Sequence, residues 1–258
     1  MRIGIGCQTI TWGDGQDAFM DRLCRVAGQA GYEALEIGFR RLQNLPMEPL
    51  RDMLAANGLR LIASHIGGNL EDQDQADGER NVIDAVLDTV TALGGEYLMF
   101  SGLRYHDADQ FAADMAMLNR CARKAVDRGV RLLYHNHNWE FAGSPRVMDL
   151  LLEQRCPELG FCPDVGWVAK AGEDVMAFMK EVAADTPLVH FKEFATLAPG
   201  VVDTVCLGDG VVPMAEVAVW IKDGDNCVEW VVAEQDRADI PADEATTRNA
   251  QYLTRLFA

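Results

Sequence analysis

Short apolar runs alternate with longer stretches of helical spacing along the chain. Eight of the runs have the length and composition of buried strands, at residues 3–10, 34–38, 59–65, 97–101, 131–137, 160–163, 188–191 and 228–234. Between them, apolar residues recur every three or four positions, as in the sets Phe19, Leu23, Ala27, Ala30 and Phe111, Met115, Leu118, Ala122, Ala125. This spacing predicts amphipathic helices that pack one face against the strands.

Eight successive strand–helix units predict a parallel sheet closed into a (β/α)₈ barrel, the TIM barrel of the α/β class. A doubly wound open sheet is the alternative. Its usual Gly-x-Gly-x-x-Gly phosphate pattern is absent after the first strand, where the chain reads GCQTITWGDG. The 258 residues match one barrel of about 250 residues. We therefore expect one domain over residues 1–258.

Composition and charge exclude several classes of partner. The formal net charge is −17, which argues against binding nucleic acid or anionic membranes, because both require clustered Lys and Arg. We find no run of about 20 apolar residues and no signal-peptide pattern. The seven cysteines are dispersed without a CxxC pair, which is typical of reduced thiols and predicts a cytoplasmic protein.

Polar side chains collect at the carboxyl ends of five predicted strands, where a buried parallel sheet should be apolar. They are His65; His135, Asn136, His137 and Glu140; Asp164; His190 and Lys192; and Glu234, Gln235 and Asp236. Any one of them could simply bond a loop amide. Burying so many charges separately would be very costly, so we infer that they meet at one barrel mouth.

Three carboxylates and one imidazole of this set suggest a divalent metal site. Hard oxygen ligands with one nitrogen suit Mn²⁺, with Mg²⁺, Co²⁺ and Zn²⁺ as alternatives. A structural zinc site would favour thiolates instead. We expect one ion bound by Glu140, Asp164, His190 and Glu234.

The chain resembles the xylose isomerase-like TIM barrels, which include sugar phosphate isomerases and epimerases, ketose 3-epimerases and inosose dehydratases. The matching strings are YHNHNWEF (134–141), CPDVGWV (162–168), VHFKEF (189–194), LGDGVVP (207–213) and VVAEQD (231–236), with GCQTITWG and ALEIGF near the start. The resemblance covers the whole chain and implies metal-binding roles for Asp164, His190 and Glu234.

The fifth strand departs from part of this family. Some members carry a glutamate within the strand, where this chain has Tyr134 and His135. The resemblance to a subgroup with an HNH string assigns the ligand to Glu140, just beyond that string. If Glu140 is not placed at the metal, His135 or His137 becomes the candidate.

The resemblance implies an enzyme that acts on a small polyhydroxy carbonyl compound: a sugar, keto-sugar or sugar phosphate. The metal would stabilise an enediolate, and Glu140 or Glu234 would move the proton with a histidine as partner. Proton return to the neighbouring carbon is isomerisation, and return to the opposite face is epimerisation. Lys192 would stabilise an oxyanion, although pairing with Glu140 or Glu234 is its alternative role.

Further residues are expected to surround the substrate. We assign substrate-binding roles to His65, His135, His137, Trp12, Trp167, Glu36 and Asp236. The two tryptophans would offer flat walls to a sugar ring or else belong to the core, and Glu36 could instead position a ligand. Four arginines that follow strands could meet a phosphate: Arg40, Arg41, Arg104 and Arg237.

Other functions remain open from the sequence. A metal-dependent dehydratase of a keto-cyclitol or dehydroshikimate-like substrate would share the ligands, the HNH string and Lys192. An endonuclease IV-like nuclease would need three metals, more histidines and a basic surface, and a non-catalytic sugar-binding barrel would not need all the ligands. The long segments 66–76 and 194–212 are expected to cover the site as lids, or to form contacts in a homo-oligomer.

Overall fold

The structure, a computed structural model, describes residues 2–13, 15–67 and 73–257, with the backbone alone at residues 17 and 73–81. The strands are β1 (Gly4–Gln8), β2 (Ala34–Gly38), β3 (Arg60–Gly67), β4 (Tyr97–Ser101), β5 (Arg131–His135), β6 (Gly160–Cys162), β7 (Leu188–Phe191), β8 (Glu193–Phe194), β9 (Thr204–Val205) and β10 (Trp230–Ala233). The helices are α1 (Met20–Ala30), α2 (Phe39–Leu42), α3 (Met47–Ala56), α4 (Gln73–Ala92), α5 (Ala108–Asp127), α6 (Val147–Gln154), α7 (Val165–Lys170), α8 (Val175–Glu181), α9 (Met214–Asp223) and α10 (Ala242–Phe257).

Eight of these strands form the expected parallel barrel. Hydrogen-bonded neighbours follow the order β6-β5-β4-β3-β2-β1-β10-β7. The ring closes between its two ends, where Asp164 and His190 form a parallel bridge and the His190 amide donates to the Pro163 carbonyl at 2.9 Å. The (β/α)₈ prediction is confirmed, and the open-sheet alternative is wrong.

Two elements have boundaries that differ from the prediction: β1 ends earlier, and α1 begins later. β1 stops at Gln8 because its side-chain oxygen accepts a hydrogen bond from the Ile10 amide at 2.6 Å, which caps a 3₁₀ helix over Thr9–Trp12. Phe19, expected on the apolar stripe of the first helix, lies before α1 and is 51% exposed. Met20 and Cys24 are buried beside Leu23 in α1 instead.

The barrel interior explains why the polar residues meet. A buried cluster inside the barrel includes Ala34, Ala63, Met99, Leu133, Cys162, Leu188 and Val232. Each is followed two positions later by a polar residue: Glu36, His65, Ser101, His135, Asp164, His190 and Glu234. Residues two apart on a strand point to the same side, so these polar side chains form the layer above the apolar one. Among the described residues, no helix is both long and apolar enough to cross a membrane.

Candidate metal and active site

Four buried side chains of this polar layer could bind one metal ion. His135, Asp164, His190 and Glu234 each offer a ligand atom, and these atoms all lie within 4.8 Å of one another. Atoms bound to one ion at about 2.0–2.3 Å are at most about 4.6 Å apart. In a tetrahedral site at these bond lengths the ligand atoms are about 3.3–3.8 Å apart, so binding an ion would contract the group by up to about 1 Å.

Two members of the group present buried atoms that lack hydrogen-bond partners. His135 is fully buried and neither ring nitrogen is hydrogen-bonded; burial also holds the pKa of His135 well below its usual range, so the ring is neutral. Oδ1 of Asp164 accepts the Trp167 amide at 2.9 Å and caps α7, whereas Oδ2 has no hydrogen bond. Unsatisfied buried polar atoms are unusual, and a cation facing them would satisfy both. The donor set thus fits a divalent metal.

His190 lies between two carboxylates. Its Nδ1 is 2.6 Å from Glu234 Oε2, and its Nε2 is 2.7 Å from Glu36 Oε2. Burial would lower the pKa of His190, but the Cys162 thiol and the charges of Glu36 and Glu234 raise it well above the usual range. Metal-binding histidines commonly hold a carboxylate on the second ring nitrogen. Glu36, predicted as a substrate or positioning residue, is suited to that supporting position.

Lys192 is buried among three carboxylates. Its Nζ lies 3.1 Å from Asp236, 3.3 Å from Glu234 and 3.4 Å from Asp164 Oδ2, the last an ion pair without a hydrogen bond. Burial alone would lower the pKa of Lys192, but these three negative charges raise it. The ammonium also stands 5.0 Å from the centre of the Trp167 ring. Lys192 is therefore a cation held beside the ligand group.

Glu140, predicted as a metal ligand, is not part of this group. β5 ends at His135, and Glu140 lies beyond it in a 3₁₀ helix over Trp139–Phe141. Oε1 of Glu140 accepts from the Tyr134 hydroxyl at 2.8 Å, and Oε2 accepts from the His137 amide at 2.9 Å. Burial raises the pKa of Glu140 to about 7. His135, the alternative from the sequence, takes the fourth place in the group.

The predicted substrate-binding histidines lie beside the group. His65 Nε2 is 3.0 Å from the Ser101 hydroxyl, and its Nδ1 is 3.6 Å from Glu36. Its ring centre is 4.9 Å from that of His135. His137 stacks on Trp139 at 4.0 Å, and burial lowers the pKa of His137 to about 2.

The two predicted tryptophan walls differ. The Trp167 ring lies 5.5 Å from His137 and contacts Lys192, so it borders the site. Trp12 instead donates from Nε1 to the Thr246 hydroxyl at 3.1 Å and packs against the core. The interpretation of Trp12 as an ordinary packing residue fits better.

A cavity of about 850 Å³ opens over one side of the polar layer. Its lining includes His65, Asp236, Gln8 and Phe39, but none of the four residues of the group of possible ligands. The lining also includes three of the four arginines predicted to meet a phosphate: Arg40, Arg41 and Arg237. In a chain with net charge −17, this concentration of cations favours an anionic or strongly polar ligand.

Three polar groups of the site have no role predicted from the sequence. Ser101 bonds His65, and Asn136 Oδ1 accepts the Asp164 amide at 3.0 Å. Both lie at the ends of strands, and this position in the sequence could have identified them as site residues. Cys162 also offers a ligand atom close to His135 and His190, but a cysteine within a strand resembles a packing residue.

The segment 194–212 is anchored rather than extended from the surface. It forms the antiparallel pair β8–β9, and the Glu193 carboxylate accepts backbone amides of Phe194, Gly208 and Val212 at 3.2, 3.3 and 2.9 Å. Lys170 Nζ donates to the carbonyls of residues 196 and 198 at 2.8 and 2.7 Å. Of the other predicted lid, 66–76, residues 68–72 lie outside the described part of the chain.

Comparison with known proteins identifies the family of this chain. Residues 24–256 match the family model described as xylose isomerase-like TIM barrel. An inosose dehydratase of Mesomycoplasma hyopneumoniae (strain 7448) is 25% identical over 215 residues, covering 74% of this chain and 70% of the relative.

Two solved structures share the fold. A sugar phosphate isomerase/epimerase from Parabacteroides distasonis ATCC 8503 has a TM-score of 0.82 and 20% identity, covering 100% of this chain and 96% of that one. An IolI protein with a bound zinc atom has a TM-score of 0.80 and 13% identity, covering 99% and 98%. At these identities the similarity to the two structures establishes the fold alone.

Proposed function

Because the chain belongs to the xylose isomerase-like TIM-barrel family, we propose that it is a divalent-metal-dependent isomerase or epimerase of a small sugar, keto-sugar or sugar phosphate. The observation that carries the proposal is the buried group His135, Asp164, His190 and Glu234 beside a cavity of about 850 Å³, a volume suited to a small ligand. The sugar phosphate isomerase/epimerase and the zinc-containing protein of the same fold support the substrate class and a bound metal.

A divalent ion in this group, with Mn²⁺ as the expected species, would act as a Lewis acid that acidifies a carbon-bound proton next to a carbonyl. Glu234 would take up that proton. Of the two carboxylates considered for this role, it is the one that belongs to the group of possible metal ligands, whereas Glu140 does not. Lys192, 3.3 Å from Glu234, would donate a hydrogen bond to the developing oxyanion.

The fate of the proton decides between isomerisation and epimerisation. Its transfer to Glu234 leaves the electron pair in an enediolate of the substrate. Return of the proton to the neighbouring carbon interconverts an aldose and a ketose. Epimerisation needs a proton donor on the opposite face, and His65, which lines the cavity with its side chain 13% exposed, is suited to that role.

A dehydratase is the second candidate function, favoured by the match to the inosose dehydratase. The first step would be the same removal of a proton by Glu234. The β-hydroxyl would then leave and take up the proton held by Glu234, so that water departs, while Lys192, 3.3 Å from Glu234, would donate a hydrogen bond to the substrate oxyanion. The organic product would be an enone.

Proton chemistry in D₂O would distinguish these reactions. The Mn²⁺-loaded protein would be incubated with a panel of ketoses, inososes and dehydroshikimate, followed by NMR and ultraviolet absorption. Solvent deuterium in a recovered isomer would indicate isomerisation or epimerisation, and a new enone absorption would indicate dehydration. Glu234→Gln should abolish either signal, whereas Glu153→Gln, an exposed change on α6, should leave it intact. Equal activity in both variants would contradict the role of Glu234.

A further inference from the structure

A cysteine lies against the proposed metal site and has no role in the proposed reaction. Cys162 is fully buried on β6, two positions before Asp164 on the same inner side of the barrel. Its Sγ and one ring nitrogen each of His135 and His190 lie within 4.8 Å of one another. This group contains one sulfur and two nitrogens, whereas the group described above contains two carboxylates and two imidazoles.

We propose that His135, Cys162 and His190 form a second ligand set, which favours thiophilic divalent cations such as Cd²⁺ and for which Co²⁺ serves as a spectroscopic probe. The inference rests on the proposed metal site, because two of its ligands are common to both sets. One protein molecule therefore holds either a hard cation through the carboxylates or a thiophilic cation through the thiolate.

The strand register places the three ligands together. Cys162 is the direct neighbour of His135 in the β5–β6 ladder. Across the closing seam, His190 bridges to Asp164, the residue two beyond Cys162. Both nitrogens of the buried His135 ring lack hydrogen-bond partners, so the ring has lone-pair capacity that no protein group uses. This observation is independent of the cysteine and itself points to a ligand.

The two ligand sets prefer different cations, because one contains a thiolate and the other contains carboxylates. Thiolates favour Zn²⁺, Cd²⁺ and other soft ions, whereas carboxylates suit Mn²⁺ and Mg²⁺. Binding at sulfur converts the thiol to a thiolate and releases one proton to solvent; no oxidant or reductant is required. Cys162 packs in the apolar cluster with Leu133 and Leu188. A cation at its sulfur would thus lie deeper than one bound by Asp164 and Glu234, and would compete with the ion that supports activity.

Cobalt spectroscopy tests the sulfur ligand directly. Metal-free wild-type protein titrated with Co²⁺ should develop a thiolate-to-cobalt charge-transfer band in the near ultraviolet. Cys162→Ser and Cys162→Val should lack the band, and Cys24→Ser, which changes a buried cysteine of α1, should retain it. No band in the wild type, or an unchanged band in the Cys162 variants, would overturn the proposal.

Competition between Cd²⁺ and Mn²⁺ separates this inference from the proposed function. Bound Mn²⁺ is followed by electron paramagnetic resonance, which also shows that each variant retains its folded site. Cys162→Ser should lower Cd²⁺ affinity about tenfold or more, a loss of about 1.4 kcal/mol, while Mn²⁺ affinity changes less than about threefold. If the wild type binds Mn²⁺ but its Cd²⁺ affinity is insensitive to Cys162, this inference alone fails. If the wild type binds no Mn²⁺, the proposed Mn²⁺-dependent function fails, whatever the result for Cd²⁺.

Discussion

Replacing Lys192 by methionine should produce two effects that depend differently on metal. The Lys192 ammonium lies 3.1–3.4 Å from carboxylates of Asp236, Glu234 and Asp164. Methionine has a similar length but no charge, so in the metal-free variant the buried carboxylates of Asp164 and Glu234 would lose their neighbouring cation. Removing one partner of a buried ion pair costs about 3–5 kcal/mol.

The loss of thermal stability should differ between the metal-free and the Mn²⁺-loaded variant. For a chain of about this size, 1 kcal/mol corresponds to about 2–4 °C in Tm, so the metal-free variant should melt about 6–20 °C below the wild type. Saturating Mn²⁺ would supply positive charge to the same carboxylates and should narrow that difference. Turnover should nevertheless fall about 10²-fold or more, as expected for the loss of one oxyanion donor.

The assay combines melting curves with and without Mn²⁺, metal content by mass spectrometry, and proton exchange in D₂O. Lys180→Met, at an exposed position of α8, is the matched control and should change none of the three. Loss of bound metal from Lys192→Met, or normal turnover, would refute the assigned role. An equal drop in Tm with and without Mn²⁺ would refute the electrostatic argument.

The remaining predictions concern the neighbours of the site. Glu36→Gln keeps the side-chain shape but removes the negative charge beside His190, and should weaken Mn²⁺ binding about 10–100-fold by calorimetry; unchanged affinity would contradict the supporting role. Glu140→Gln should leave Mn²⁺ affinity within about threefold, since Glu140 lies outside the ligand group, and a tenfold loss would restore it as a ligand. Gly166→Ala would place a Cβ 2.3 Å from the Lys192 carbonyl oxygen. Chemical denaturation should show a loss of about 1–3 kcal/mol, and a variant of wild-type stability would exclude this tight packing.

The barrel was predictable from the sequence because parallel strands buried on both sides appear as short apolar runs. The site was predictable in outline for the same reason: polar residues stand out at the ends of such runs. Asp164, His190 and Glu234 follow apolar strand residues at a spacing of two, and the structure brings them together. Their roles remain proposals.

Glu140 could not be placed from the sequence because its position depends on where β5 ends. The pattern predicts a strand to residue 137, whereas the strand ends at His135. Both oxygens of Glu140 then accept hydrogen bonds, from the Tyr134 hydroxyl and the His137 amide. These contacts arise from a local turn and leave no periodic signal.

The segment 194–212 illustrates a second limit of sequence analysis. Its length suggested a lid, yet Glu193 and Lys170 bind its backbone from within the fold. A buried carboxylate that accepts several amides cannot be distinguished by pattern from an active-site carboxylate. Movement of this segment during turnover remains a prediction.

A crystal structure of the Mn²⁺-loaded protein, with the ion located by anomalous scattering, would test the metal site most directly. We predict one Mn²⁺ bound by His135, Asp164, His190 and Glu234 at about 2.0–2.3 Å, with Glu140 still hydrogen-bonded to Tyr134. An ion located elsewhere, or one bound by Glu140 in place of His135, would contradict the account.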